Sequence, residues 1–282
     1  MKIQNHLYVV TGASSGLGQS TAETLVASGA FVALFDLRPP SEPTRDQRTR
    51  YFECDVGDPE SVHEAFERVN EWHASSHVGG DDKVTWGGVV HCGGVGMVGK
   101  TIDRETLDPW SFETFRAVHR VNLDGSYLIA SKVASEIVKQ RQRRSSDVAK
   151  DLSKPDNAVH GDEDGDRGVI ILTSSVSATE GQMGQVAYAS SKAAVEGLVL
   201  PMSRDLARYG IRVVCIAPSL FATNMGKNTS DKTRNSLLAT TLFPPRFGVP
   251  REFAHLAKTV IENGYLNGTV IRIDGGSRMA KM

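Results

Sequence analysis

Long apolar runs are missing from this chain, and so is an excess of either charge. Its 282 residues carry 32 Lys and Arg against 33 Asp and Glu, a net charge of −1. A balance that even leaves no field to gather nucleic acid or an anionic membrane, so neither is expected as a partner. No stretch stays apolar for the roughly 18 residues that a bilayer span needs. Cysteine is scarce too. Cys54, Cys92 and Cys215 are odd in number, far apart and set among apolar residues, with no CxxC. That spacing excludes a disulfide scaffold and a thiolate metal site, and it predicts buried thiols in a reducing compartment. The opening MKIQNHLYVVTG shows neither a secretory pattern nor an Arg-rich amphipathic presequence, and a strand begins by Leu7. No cleavable leader is expected.

What the chain does have is a regular alternation. LYVVT (7–11), FVALFD (31–36), YFECDV (51–56), VTWGGVVH (84–91), GVIILTSS (168–175), GIRVVCIAP (210–218) and GTVIRIDGG (268–276) read as strands, with helix-length segments between them. Near-continuous apolar strands alternating with helices predict a parallel sheet covered on both faces. Gly29 fits the C-terminal cap of the first helix, and Asp58-Pro59 reads as an N-cap followed by proline at N1. No domain boundary or repeat is visible, so residues 1–282 are expected to form one α/β domain. Two polar stretches interrupt it. Residues 75–83 and 141–167 (RQRRSSDVAKDLSKPDNAVHGDEDGDR) read as solvated surface insertions. GDEDGD lacks the full calcium-loop pattern, and no metal site is expected.

TGASSGLG (11–18) stands between a strand and a helix, where a phosphate-binding turn belongs. Gly12, Gly16 and Gly18 permit a tight turn and close approach to a pyrophosphate, which the helix N-terminus then stabilises. The expected fold is therefore a doubly wound sheet of the Rossmann type, holding a dinucleotide. Asp36 ends the second strand, where a carboxylate would bond the ribose hydroxyls and repel a 2′-phosphate. That favours NAD over NADP, with Arg38 two residues on as the opposing signal. Asp55 and Val56, at the end of the third strand, are placed to contact adenine.

The reactive residues lie in SSVSATEGQMGQVAYASSK (174–192). Tyr188 and Lys192 are four apart and so share one helical face. A free tyrosine, with a pKa of about 10, is a poor base at neutral pH. A neighbouring ammonium and an oxidised nicotinamide would both favour the phenolate. Ser175 lies thirteen residues before Tyr188, at the carboxyl edge of a strand, where open α/β sheets bind ligands. Its hydroxyl would hold a substrate oxygen while Tyr188 moves the proton.

TGxxxGxG, Asp36, the upstream serine and YxxxK together resemble the short-chain dehydrogenase/reductase family over nearly the whole chain. The resemblance implies an NAD-dependent oxidoreductase with an Asn–Ser–Tyr–Lys tetrad, here Asn122, Ser175, Tyr188 and Lys192. Asn122, in HRVNLDGSY, would organise a water and the lysine for proton relay. The region 173–223 and the later LFPPRFGVPREFAHLAKTVIEN and YLNGTVIRIDGGSRM resemble the branch of the family that acts on 3-hydroxyacyl-CoA. That likeness places Ser15 and Leu17 at the pyrophosphate, Cys92 by the adenosine, and Phe221 and Thr223 by the nicotinamide, with Tyr188 and Lys192 also touching the cofactor. It also implies a homotetramer.

Two departures stand out. The family's Asn-Asn-Ala-Gly reads His91-Cys92-Gly93-Gly94, which predicts weaker support of the sheet edge there, with His91 structural. Its Pro-Gly reads Pro218-Ser219, which alters the nicotinamide loop. Phe221, Met225, Leu237, Leu238, Phe243 and Phe247 occupy the segment that covers the substrate cleft in this family, pointing to an apolar substrate portion. Lys100 and Arg104 are candidates to meet CoA phosphates. Three functions remain open: a 3-hydroxyacyl-CoA dehydrogenase, a hydroxysteroid or other secondary-alcohol dehydrogenase, and a scaffold subunit in RNA processing. The final Ala-Lys-Met resembles a peroxisomal tripeptide, with mitochondrial matrix and cytosol as the alternatives.

Overall fold

A computed structural model of the protein describes residues 3–41, 46–75, 84–144, 165–223 and 238–278. The seven expected strands form β1 (His6–Thr11), β2 (Phe31–Asp36), β3 (Thr49–Glu53), β4 (Thr85–His91), β5 (Gly168–Thr173), β6 (Ile211–Pro218) and β7 (Thr269–Ile273). They make one parallel sheet in the order β3-β2-β1-β4-β5-β6-β7. Among the described residues the helices are α1 (Gly16–Ala27), α2 (Pro59–Ser75), α3 (Phe112–His119), α4 (Gly125–Arg144), α5 (Ser177–Glu180), α6 (Val186–Ala207) and α7 (Pro250–Glu262). A single π-helical turn, Arg120–Asp124, joins α3 to α4.

The sheet separates two apolar layers. On one face Phe66 of α2, Ile129 of α4 and Val195 of α6 pack over Val9, Val89 and Ile170. On the other, Leu25 of α1 and Phe253 and Val260 of α7 cover Val10, Val90 and Val214. Every residue of β5 and β6 is buried, as strands covered on both faces must be. The chain winds outward from β1 through β2 and β3, then returns to β4 on the opposite side. That reversal opens a crevice at the carboxyl edge, between the ends of β1 and β4. Among the described residues no helix is long and apolar enough to cross a membrane.

Several local expectations change. β3 begins two residues earlier than its apolar run, because its ladder to β2 runs from Val32↔Thr49 to Asp36↔Glu53 and closes where β2 ends. Asp55 and Val56 therefore lie beyond the strand, in a turn. The polar stretch 141–167 is not uniformly solvated. Arg141–Arg144 belong to α4, and Asp166 is buried against Arg212 at 2.9 Å. A carboxylate enters the interior where a guanidinium meets it, a pairing that local polarity cannot reveal. Residues 145–164, 76–83 and the terminal Ala280-Lys281-Met282 lie outside the described residues. Cys54 and Cys215 are buried free thiols as expected, whereas Cys92 is only half-buried.

Candidate active site

The glycine turn shapes the candidate anion-binding end. A Cβ on Gly18 would collide with the Gly12 carbonyl oxygen, so only hydrogen fits there. Gly16 has φ +55°, and a Cβ on it would press on Thr223 at 3.2 Å. Thr223 of the segment after β6 thus stands directly against the turn. The N-cap of α1, Ser15, makes no side-chain capping bond, and the first turn, with Leu17 inside it, holds no acidic residue. The helix N-terminus keeps its positive end for an incoming anion. These features fit a dinucleotide pyrophosphate.

Asp36 sits at the end of β2, half-buried, and its Oδ2 accepts from the Ser14 amide at 3.0 Å. The carboxylate is thereby fixed beside the turn, while Arg38 is exposed and the Ser14 hydroxyl donates to its carbonyl at 2.5 Å. Asp55 Oδ1 accepts from Gly57 N at 2.9 Å, and its Oδ2 meets Arg120 Nη1 at 3.2 Å. Val56 is buried beside it. Phe221 packs edge-on against Phe253, with ring centroids 6.4 Å apart.

The catalytic candidates converge at the carboxyl ends of β4 and β5. Ser175 lies two residues past β5, but pairing with β6 continues around it through Ser174 N to Ile216 O and Val176 N to Pro218 O. Its Oγ accepts from Ser177 N at 3.1 Å and also hydrogen-bonds the Tyr188 phenol. Lys192 Nζ donates to the Thr173 carbonyl at 2.8 Å and lies 5.9 Å from the centre of the Tyr188 ring. Asn122 is wholly buried and sits in the π-helical turn rather than in a regular helix. Its Oδ1 accepts from Val95 N at 2.8 Å, while its Nδ2 donates to Val95 O at 2.9 Å and to Ser191 Oγ at 3.0 Å. The amide thus ties the segment after β4 to α6, and Gly94 leaves open a space where a Cβ would crowd both Asn122 Oδ1 and Lys192 Nζ.

Electrostatics at the site departs from one expectation. Burial raises the Tyr188 phenol above its ordinary range, and the opposing pull comes from the Ser175 hydroxyl rather than from the ammonium. The phenol is therefore a proton donor at neutral pH. Lys192 has no carboxylate partner among the described residues, and burial brings its pKa down to about 8. Burial pushes the Cys92 thiol up to about 12, so it stays protonated at neutral pH.

The two departures from the family pattern also find their places. His91 is buried and its Nδ1 meets Thr11 Oγ1 at 2.9 Å, while the same hydroxyl accepts from Gly93 N at 2.9 Å. Burial lowers this imidazole to about 3, which makes it a neutral structural group. Thr11 and His91 together fasten β1 to the segment after β4, so support is retained where the side-chain amides are missing. Ser219 extends the β6–β7 pairing through its amide to the Ile273 carbonyl at 3.1 Å. Of the expected cleft-covering residues, Phe247 and Leu238 are half-buried, whereas Phe243 is 80% exposed. Met225 and Leu237 lie outside the described residues. Lys100 and Arg104 are exposed.

The sequence profile of the short chain dehydrogenase family matches residues 6–145 and 158–234. This chain belongs to the short-chain dehydrogenase family. It is an oxidoreductase, and its family uses a nicotinamide cofactor. The 3-hydroxyacyl-CoA dehydrogenase type-2 of Rattus norvegicus is 39% identical to it over 276 residues, covering 96% of this chain and 94% of that one. The ipsdienol dehydrogenase of Ips pini is 30% identical, covering 99% of each chain. Among solved structures, 3-hydroxyacyl-CoA dehydrogenase type-2 from Mycobacterium avium is 30% identical and superposes with a TM-score of 0.78 over 98% of this chain and 97% of that one. Aldohexose dehydrogenase of Thermoplasma acidophilum, at 22% identity and a TM-score of 0.74, shares the fold.

Reading residues one at a time missed part of the short-chain dehydrogenase site. Thr11, Ser174, Ser191 and Glu196 all bond to groups around the tetrad, yet three of them are serines or threonines in a chain full of them. Glu196 had a readable signal. It continues the four-residue stripe of Tyr188 and Lys192 by one more step.

Proposed function

We propose that this dehydrogenase interconverts 3-hydroxyacyl-CoA and 3-ketoacyl-CoA with NAD as its cofactor. The observation that carries the reading is the convergence of Ser175, Tyr188 and Lys192 at the carboxyl edge of β5, in a chain whose relatives include 3-hydroxyacyl-CoA dehydrogenases. Gly12, Ser15, Leu17 and Gly18 would hold the pyrophosphate, Asp36 the adenosine ribose, and Asp55, Val56 and Cys92 the adenine end. Phe221 and Thr223 would line the nicotinamide side. When bound, the nicotinamide supplies or takes up hydride. The Tyr188 phenol gives its proton to the carbonyl oxygen in reduction and recovers it from the hydroxyl in oxidation. Ser175, already bonded to that phenol, holds the same oxygen. Lys192 favours the phenolate once the proton has left, and its buried cation gains strength from the low-dielectric surroundings. Asn122 keeps α6 and the segment after β4 in place. Lys100 and Arg104 would meet CoA phosphates at the rim.

Asp36 supports NAD on electrostatic grounds, since a 2′-phosphate would stand beside a carboxylate that Ser14 holds in place. The test is absorbance at the NADH band with 3-ketoacyl-CoAs of increasing length, acetoacetyl-CoA first, using NADH and NADPH in parallel. Turnover with NADH is expected. Absence of thioester turnover, with efficient reduction of other ketones, would overturn the acyl-CoA reading. A secondary-alcohol dehydrogenase is the second reading, and the likeness to ipsdienol dehydrogenase across 99% of both chains favours it. Comparing kcat/KM on acetoacetyl-CoA and on steroid ketones separates the two. Assembly as a homotetramer belongs to the same proposal, and light scattering on the eluted protein reads it.

A further inference from the structure

The end of β5 and the inner face of α6 are joined rung by rung. Tyr188, Lys192 and Glu196 succeed one another at four-residue spacing, so they form one stripe on the helix. Three consecutive residues of the strand end face them. Ser175 bonds the Tyr188 phenol, and the Thr173 carbonyl accepts from Lys192 Nζ at 2.8 Å. Ser174 takes the third place. Its hydroxyl is 2.8 Å from Glu196 Oε1 and 3.0 Å from the main-chain carbonyl oxygen of Lys192.

The rungs differ in what they hold. Those at Ser175 and Thr173 engage groups at the ends of long or rotatable side chains. Ser174 reaches the backbone of the helix itself, at the residue that carries the ammonium. A serine hydroxyl has one proton, so the carboxylate and the carbonyl share it in a three-centre bond. Ser174 is 1% exposed, and its amide is bonded to the Ile216 carbonyl at 2.9 Å, which anchors the rung in the sheet. Glu196 faces the same interior. Its carboxylate adds to the burial that pushes the Cys215 thiol of β6 up to about 12.

We propose that Ser174 and Glu196 are a positioning pair for the reaction: together they clamp α6 at Lys192 and so set the register between Ser175 and the Tyr188–Lys192 face. Neither touches the reacting atoms. This rests on the catalytic roles proposed above for Ser175, Tyr188 and Lys192. Its consequence is a specific one. Loosening the clamp shifts the phenol relative to the serine hydroxyl, while the glycine turn and Asp36, on β1, α1 and β2, stay where they are. The loss should fall on kcat far more than on nucleotide affinity, most of whose proposed contacts lie on those elements.

The experiment compares the parent with Ser174→Ala, Ser174→Thr, Glu196→Gln and the double variant Ser174→Ala/Glu196→Gln. Four quantities are read: kcat and KM, NADH affinity by fluorescence, thermal melting, and hydrogen exchange of the peptide covering 186–196. Ser174→Ala should lower kcat about tenfold, as misplacement of reacting groups by a fraction of an ångström does. NADH affinity should hold while exchange in 186–196 quickens. Ser174→Thr, which keeps the hydroxyl, should recover most of the loss. Glu196→Gln should show a smaller fall, and the double variant should be no worse than Ser174→Ala, as for two groups acting through one bond. The proposal is overturned if 186–196 exchanges as in the parent, if kcat changes by less than about twofold, or if kcat, NADH affinity and melting all decline together. Should Ser174→Ala not fold, Glu196→Gln is read in the same four ways, and the same three outcomes overturn the proposal. Exchange needs no substrate, and kcat can be read on any ketone the parent reduces. Failure of the acyl-CoA reading therefore leaves this test standing.

Discussion

Two buried cations stand at opposite ends of the same pair of strands, and they are treated in opposite ways. At the amino end of β6, Arg212 meets Asp166 through Nε at 3.0 Å and Nη2 at 2.9 Å. It also donates to the carbonyls of Val260, Ile261 and Leu266 at 2.9 to 3.0 Å, which satisfies the last turn of α7 and the chain beyond it. At the carboxyl end of β5, Lys192 is almost as buried, yet among the described residues it holds one carbonyl and no carboxylate. Burying an uncompensated charge is costly, and the cost appears as a pKa lowered to about 8. The first cation is a staple whose charge is answered. The second is kept under-answered where the proposed reaction moves a proton, as expected of a reactive centre. Sequence alone singled out Lys192 through its spacing from Tyr188, but it left Arg212 simply a basic residue in a strand.

The sharpest way to break this contrast is to remove each charge in turn. Lys192→Met should cut turnover by about 10² to 10³, within the range for groups that drive proton transfer. It should leave the melting temperature unchanged or raised, because an unanswered charge leaves the interior. Steady-state rates and a thermal melt on the same preparation check both halves. A clear fall in melting temperature would contradict the reading of Lys192 as strained. Arg212→Met should do the reverse. It takes the guanidinium away from the buried Asp166 carboxylate, at about 3 to 5 kcal/mol by analogy with broken buried pairs, and spares kcat in the fraction that remains folded. Denaturant titration measures the first and active-site-normalised rates the second.

A third variant sharpens the staple itself. Asp166→Leu/Arg212→Met removes both charges and should be less destabilising than Arg212→Met alone, since no buried carboxylate is left facing a lost cation. If the double variant is the worse of the two, the carbonyl bonds of Arg212 matter more than its charge.

The smallest effect concerns pH. The folded pKa of Lys192 is lowered to about 8 from an ordinary value of 10.5. The unfolded chain therefore binds this proton more tightly, and stability rises with pH through the interval between those two values. Below it the full penalty applies, on the order of 3 kcal/mol at most. Melting the parent and Lys192→Met from pH 7 to 10 should show the parent gaining stability relative to the variant, since the buried thiols held up at about 12 affect both alike. Parallel curves would remove Lys192 as its source.

Much of this was legible in the chain. The five central strands announce themselves because burial on both faces demands an apolar run, and β2 falls where FVALFD predicts. Tyr188 and Lys192 could be paired because helical periodicity alone places them on one face. The turn at 11–18 could be read because close backbone approach admits only glycine. Asp166 could not be read. It lies in a run of acids and glycines, and it is the distant Arg212 that gives it a reason to be buried. Asp55 is similar. Its place beyond β3 follows from the length of β2, and its ion pair from Arg120, neither of which its neighbours encode.

The sequence by itself determined the alternation of strands and helices, the glycine turn and the tyrosine–lysine stripe. All of these are set by contacts within a few residues or by the period of one element. Only the tertiary structure decided which cation is answered and which is left in want, which serine grips α6, and that burial rather than the ammonium governs the phenol. Those outcomes depend on groups tens of residues apart meeting out of water, where a charge or a hydroxyl takes its character from whatever it touches.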